Sequence, residues 1–238
     1  MNEGAPACQP VTARQLQWNW TPAGQVALQP CPIGATGLAR WYCAEDDVTN
    51  GPQWQGLTPD MSDCKSVAMA SLEGQVRAED PENVLVSSLA YLTRTKSLYG
   101  GDLEAVVAIM RTVASRIQYR LQSSSNFHDK MNHIRQVLLN VLRSAANILE
   151  NGPNRNAWLD LSADRQMKVA TSLMLALEEN AFLLAGVTEV PEEILETYET
   201  LSKFFWPFLD VFGPFLSISY VIVFLFARGK TYWESLMH

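Results

Sequence analysis

Trp54-Gln55-Gly56-Leu57-Thr58-Pro59-Asp60-Met61-Ser62-Asp63-Cys64, followed at once by Lys65-Ser66-Val67-Ala68-Met69, is the stretch on which the fold turns. Before it the chain is rich in Trp, Pro and Gly and holds all four cysteines, Cys8, Cys31, Cys43 and Cys64. From Ser66 onward cysteine is absent and the apolar residues take up a helical period. The 238-residue chain therefore reads as a small disulfide-stapled β and loop module, then an all-α antiparallel helical bundle, then a hydrophobic C-terminal tail.

An even number of cysteines in a short, loop-rich segment points to paired bridges made in an oxidising compartment. A zinc site would ask for close pairs such as C-x-x-C. Here the gaps are 22, 11 and 20 residues, with no His among them. The spacing alone leaves three pairings open. The physical need for bridges is plain, because about 60 residues bury too little surface to be stable unaided. Each bridge closing a loop of about 30 residues contributes about 3–4 kcal/mol on the loop-entropy account. Trp18, Trp20, Trp41 and Trp54 read as the miniature core of this module, with turns at Pro30-Cys31-Pro32, Asn50-Gly51-Pro52 and Thr58-Pro59-Asp60. Asn19-Trp20-Thr21 is an N-glycosylation acceptor, which suits an extracellular surface.

Charge excludes a nucleic-acid partner. The net charge is −7, and residues 1–64 carry only Arg14 and Arg40 against six acids. The first residues, Met1-Asn2-Glu3-Gly4-Ala5-Pro6, have neither the basic start nor the apolar core of an export signal. A disulfide module without one is expected to be an internal portion of something longer, or a start-truncated product.

Asp80-Pro81 reads as a cap and first position opening a helix to about Leu98. Gly100-Gly101 breaks the chain, and Asp102 starts the next helix, with Leu103, Val106, Val107, Met110, Val113, Ala114, Ile117 and Leu121 on one face. A third helix spans about Phe127 to Glu150, its stripe being Met131, Ile134, Leu138, Val141, Leu142, Ala145 and Ile148. Asn151-Gly152-Pro153-Asn154 stops it. Another begins near Ser162 and aligns Met167, Ala170, Met174, Leu177, Ala181 and Leu184. The reading divides the chain into a module at 8–65, a bundle at 66–185 and a divergent tail at 186–238. Within the tail, 211–227 is a candidate membrane-crossing segment of minimal length, followed by Arg228-Gly229-Lys230 as a cytoplasmic-side flank.

The sequence offers no catalytic, cofactor-binding or metal-ligating constellation. His128 and His133 are five apart, whereas helical ligand pairs sit three or four apart. There is no Gly-x-Ser-x-Gly and no phosphate loop. Glu178-Glu179 and Glu192-Glu193 are adjacent pairs whose side chains diverge into solvent. The expectation is a recognition or scaffold protein and not an enzyme.

Trp18-Asn19-Trp20, Gln29-Pro30-Cys31-Pro32-Ile33-Gly34 and Trp54 through Cys64 together resemble the hormone-receptor motif of adhesion G-protein-coupled receptors, most closely the latrophilins. Ser97-Leu98-Tyr99-Gly100-Gly101-Asp102-Leu103, Tyr119-Arg120-Leu121-Gln122, Gln166 through Leu173 and Leu177 through Leu184 resemble the helical first half of the GAIN domain that follows it. The resemblance covers about residues 8–185. It implies a bridge pairing of Cys8 with Cys43 and Cys31 with Cys64. It also implies a cell-surface protein with an extracellular N-terminal region, recognising an extracellular protein ligand or cell-surface partner. Contact with the membrane through the tail is expected from the apolar run of that segment and not from the resemblance. A soluble secreted binding protein or decoy built from the same two modules is the alternative. The family's self-cleavage site is His-Leu-Ser/Thr, and none of the three histidines here precedes Leu. Self-cleavage and G-protein coupling are therefore not part of what the resemblance implies for this chain.

Overall fold

Short β-prone runs broken by Gly and Pro give short strands. In the computed structural model, which describes residues 6–45, 51–123, 128–150 and 154–185, the first part of the chain is a set of small antiparallel sheets. β1 (Ala7–Cys8) pairs with β4 (Thr21–Pro22), and β2 (Val11–Ala13) with β3 (Leu16–Trp18). The three-stranded sheet runs in the order β5 (Val26–Pro30), β7 (Leu38–Ala44), β8 (Gln53–Trp54). β6 (Ala35–Thr36) pairs with β9 (Lys65–Ser66), which leads into the first helix. Pieces this short cannot hold one another, and two covalent bridges tie them. Cys8 is joined to Cys43 and Cys31 to Cys64, with Cα atoms 5.8 and 5.7 Å apart.

β7 shows the alternation of a half-buried strand. Ala39, Trp41 and Cys43 point inward, and Leu38, Arg40 and Tyr42 point outward. The β2–β3 hairpin turns through Arg14 and Gln15 at φ 52 and 63°, both in the left-handed region. Asn-Gly is the usual occupant of such a two-residue turn. Non-glycine residues there cost about 1 kcal/mol or more each.

The helices follow as α1 (Val67–Arg77), α2 (Glu82–Thr95), α3 (Gly100–Ser123), α4 (His128–Leu149), the short α5 (Arg155–Leu159) and α6 (Ala163–Ala185). Ser66 caps α1, its hydroxyl accepting from the Met69 N–H at 3.2 Å. α1 ends with Glu79 at φ 60°, the Glu79 N–H donating to Val76 O and the Asp80 N–H to Gln75 O. That is the Schellman closure with a glutamate where glycine is usual. Arg116 of α3 donates to Val76 O at 2.6 Å and Asp80 O at 3.3 Å, placing a cation on the negative end of α1.

α3 packs against α1, α2, α4, α5 and α6, and it is buried on several sides. Leu103, Ala105, Val106, Val107, Ile109, Met110, Val113, Ala114 and Ile117 are all inside. In α4 the expected stripe from Ile134 to Ile148 is buried, with Val137 and Leu139 beside it. Buried amides bind the helix ends. Asn154 Nδ2 donates to Thr93 O at 2.7 Å and to Asn147 O at 3.0 Å, and Asn147 Nδ2 donates to Thr93 Oγ1 at 3.1 Å.

Four readings of the sequence are corrected. Pro81 is the cap of α2 and not its first helical residue, because its ψ of 138° is extended. Gly100 and Gly101 do not break the chain; they form the first turn of α3. Met167 is exposed; Ala170 and Leu177 of the expected stripe are buried, and the buried face of α6 widens to take in Val169, Leu173, Ala176 and Asn180. Trp20 is exposed, so three of the four module tryptophans make the core and not all of them. The chain forms two units, Met1–Glu189 and Val190–His238, and every described residue belongs to the first. The tail 186–238, with its candidate segment 211–227, lies outside the described residues. Among the described residues no helix is long and apolar enough to cross a membrane.

Candidate functional site

Three indoles hold the module rigid. Trp18 meets Trp41 edge-on at 5.5 Å between ring centroids, and Trp54 stacks on Trp41 at 4.8 Å. Each ring nitrogen has a carbonyl to donate to: Trp18 to Ala13, Trp41 to Gln55 and Trp54 to Gln9. Rings this large contribute apolar burial and leave no unmatched N–H behind.

On the opposite face of the β5–β7 ribbon the register pairs Val26 with Tyr42, Leu28 with Arg40 and Pro30 with Leu38. These side chains face solvent, at 50% exposure for Val26, 56% for Leu28, 47% for Leu38 and 37% for Tyr42. A scatter of single exposed apolar residues is ordinary, but four that are neighbours across one ribbon form a patch. Arg40, at its centre, is held by Asp63 at 2.6 Å. Trp20, Ile33 and Leu57 are also exposed on the module.

Behind this face lies the seat on the helices. Arg14 in the strained hairpin turn donates to Asp160 Oδ2 at 2.5 Å, and its guanidinium lies 5.7 Å from the Tyr99 ring centroid. Asp160 follows α5, and its own carbonyl accepts from the Met61 N–H at 3.2 Å. Thr58 Oγ1 donates to Leu159 O at 3.3 Å, and Arg165 of α6 pairs with Asp63 at 3.1 Å. Burial pushes the Asp160 carboxyl up to about 6, and the Arg14 contact offsets only part of this.

Asp102 makes the second fastening. Its Oδ1 accepts from the Ser66 N–H at 2.9 Å and the Ser66 hydroxyl at 3.1 Å, and its Oδ2 accepts from the Tyr99 N–H at 3.0 Å. One carboxylate therefore serves the N-termini of both α1 and α3, where the helix dipoles favour negative charge. Burial raises its pKa, with the hydrogen bonds from Tyr99 and Ser66 acting against that rise. Beside it the Gly101 N–H donates to Cys64 O at 3.2 Å. A Cβ on Gly101 would sit 2.6 Å from Cys64 O and 2.9 Å from Ser62 O. Gly101→Ala is accordingly expected to lower stability by about 1–3 kcal/mol, although alanine is the better helix former by about 1 kcal/mol. Gly74→Ala in α1, where the added atom meets nothing nearer than Arg77 Nη2 at 4.0 Å, should instead raise stability by up to that amount. Denaturant melts of the two variants separate packing from propensity.

Of the sequence-selected residues, the structure brings the four cysteines together as the pairs Cys8–Cys43 and Cys31–Cys64 and leaves the others apart. Cys43 and Cys64 lie in the module core, and Asn19 lies on an exposed turn where its carbonyl accepts from Thr21 Oγ1 at 3.0 Å. His133 is exposed on α4. Among the described residues no group of His, Cys, Asp and Glu could hold a metal ion. The fastening residues Arg14, Asp102 and Asp160 were not selected from the sequence. Only Asp102 carried a signal, as an acid in a first helical turn.

Against this geometry the comparisons with known proteins agree in kind. Residues 66–185 match the family model for the GAIN domain, described as AGRL2-4 GAIN subdomain A. The chain is 31% identical over 229 residues to Latrophilin Cirl of Drosophila pseudoobscura pseudoobscura, covering 75% of this chain and 14% of that protein. It is 27% identical over 205 residues to Adhesion G protein-coupled receptor L1 of Homo sapiens, covering 82% of this chain and 14% of that protein. It is 28% identical over 199 residues to the Mus musculus protein of the same name, covering 79% and 13%. The chain thus spans about one seventh of the length of these relatives. With half of its length matched by the family model and 31% identity to a latrophilin over three quarters of the chain, the chain belongs to the GAIN subdomain A family of latrophilin-like adhesion G-protein-coupled receptors.

Proposed function

We propose that this chain is an extracellular recognition region of a latrophilin-like adhesion receptor, presenting a binding face at the cell surface and contributing adhesion without signalling machinery of its own. The face is the apolar patch of Val26, Leu28, Leu38 and Tyr42, and its occupant is a protein partner. The observation that carries this is the patch itself, held flat by a sheet whose other side is a bridged indole core. Such a preorganised face loses little entropy on binding. In this reading 8–65 is the recognising module, 66–185 the helical support and 186–238 a separate tail. Asn19 carries a glycan, and the two bridges form as the chain is exported.

Cells displaying the full chain are mixed with cells each expressing one extracellular protein domain, and adhesion is scored. Leu28→Glu or Leu38→Glu should weaken any adhesion found by tenfold or more, as expected when the centre of an interface is lost. Val84→Glu, an equally exposed change on α2, should leave it intact. Undiminished adhesion in both module variants would move the binding site elsewhere.

A further inference from the structure

The Arg14–Asp160 contact joins two costly elements. On one side is a turn that puts two non-glycine residues in the left-handed region. On the other is a carboxylate whose side chain is completely buried. Its Oδ2 takes the guanidinium, the Gly100 backbone lies near the carboxyl group, and Oδ1 has no hydrogen-bond partner among the described residues. The surrounding charges are mixed. Arg14 approaches from the β2–β3 turn, Asp60 from the loop that leads into Met61, and Tyr99 from the start of α3. Farther out, Asp63 is shared between Arg40 and Arg165, Arg165 also reaches Glu104, and Asp102 is committed to Ser66 and Tyr99. Arg14 favours an ionised Asp160, whereas burial and Asp60 disfavour it.

We propose that this seat is an acid-tightened catch: a proton taken up by Asp160 removes a charge buried between the disulfide module and the helices, so that the module is held more firmly in mildly acidic compartments than at neutral pH. Arg14 is not stranded by the change. It still donates to a neutral carboxyl oxygen and keeps the face of the Tyr99 ring. The opposite sign, acid release, would follow if the ion pair outweighed burial.

The direction follows from linkage. The seated carboxyl titrates at about 6, and the exposed one at 3.8. Between those values the closed seat holds a proton that the open one lacks, so acid favours closure and the advantage is lost as pH rises through 6. From pH 7.5 to pH 5 the closing equilibrium changes by about tenfold.

Amide hydrogen exchange on the full, bridged chain reads this directly, after correction for the intrinsic rate at each pH. The reporters are the Met61 N–H, which donates to Asp160 O, and the Ser62 N–H, which donates to Asp60 Oδ1 at 2.9 Å. Protection at both should rise about tenfold between pH 7.5 and pH 5 and should be flat in Asp160→Asn. A second measurement stands on the unmutated chain, the carbon chemical shift of the Asp160 carboxyl against pH, with a midpoint near 6 expected. Protection that is level or falls with acid in the unmutated chain overturns the proposal, as does a midpoint near 4.

Discussion

Leu142→Asp should leave the helical part unfolded or close to it at 25 °C. Leu142 lies on the buried face of α4 at 1% exposure, amid Leu138, Val141 and Ala145. The substitution removes an apolar side chain and puts a carboxylate among buried apolar neighbours. Losing the leucine alone costs about 2–5 kcal/mol, and an unpaired buried polar group adds more. A domain has about 5–15 kcal/mol in total. Circular dichroism at 222 nm checks this, and Val113→Asp in α3 provides an independent copy of the experiment at a site with 0% exposure. Native helicity with an unchanged melting point in both would mean that the helices pack on other faces.

Trp18→Ala should be the most damaging single truncation in the module, costing about 3–5 kcal/mol. Trp18 is fully buried and touches both of the other core indoles, at 5.5 Å from Trp41 and 6.1 Å from Trp54. The bridges do not rescue it, because they limit the unfolded chain and put nothing in the hole. Trp20→Ala, two residues along and 64% exposed, should change stability by about 0.5 kcal/mol or less. Near-ultraviolet dichroism and urea melts of the pair distinguish core from surface. Equal effects would mean that the indole cluster is not the core.

The parts of the fold that follow from local rules were legible in the sequence. The stripes of α3 and α4 have the period of a helix packed on one side, and those residues are buried. The change of character at Ser66 is where the structure passes from β9 into α1. What escaped is what tertiary contacts impose. Arg14-Gln15 has none of the chemistry of a two-residue turn, yet Asp160, at the C-terminal end of α5, holds it there. Glu79 closes α1 without glycine because Arg116, far along the chain, satisfies the carbonyls. In α6, with α3 and α4 both packed on it, the buried arc keeps Ala170 and Leu177 but extends to Val169 and Leu173 and leaves Met167 outside. Gly100-Gly101 looked like a break, since nothing local says that Ser62 and Cys64 need the space a side chain would fill. The candidate face was visible only as unremarkable β-prone residues, because exposure depends on which side of β7 the tryptophans take.

β9 ends at Ser66 and α1 begins at Val67, so no linker separates module from helices. Asp102 pins that crossing, and the Arg14–Asp160 contact lies beside it, the two meeting at Tyr99. Both fastenings therefore share one corner of the fold. If the Arg14 contact lets go, the Ser66–Asp102 contact still ties the module to the helices, and a partner pulling on the β5–β7 face loads the first turns of α1 and α3.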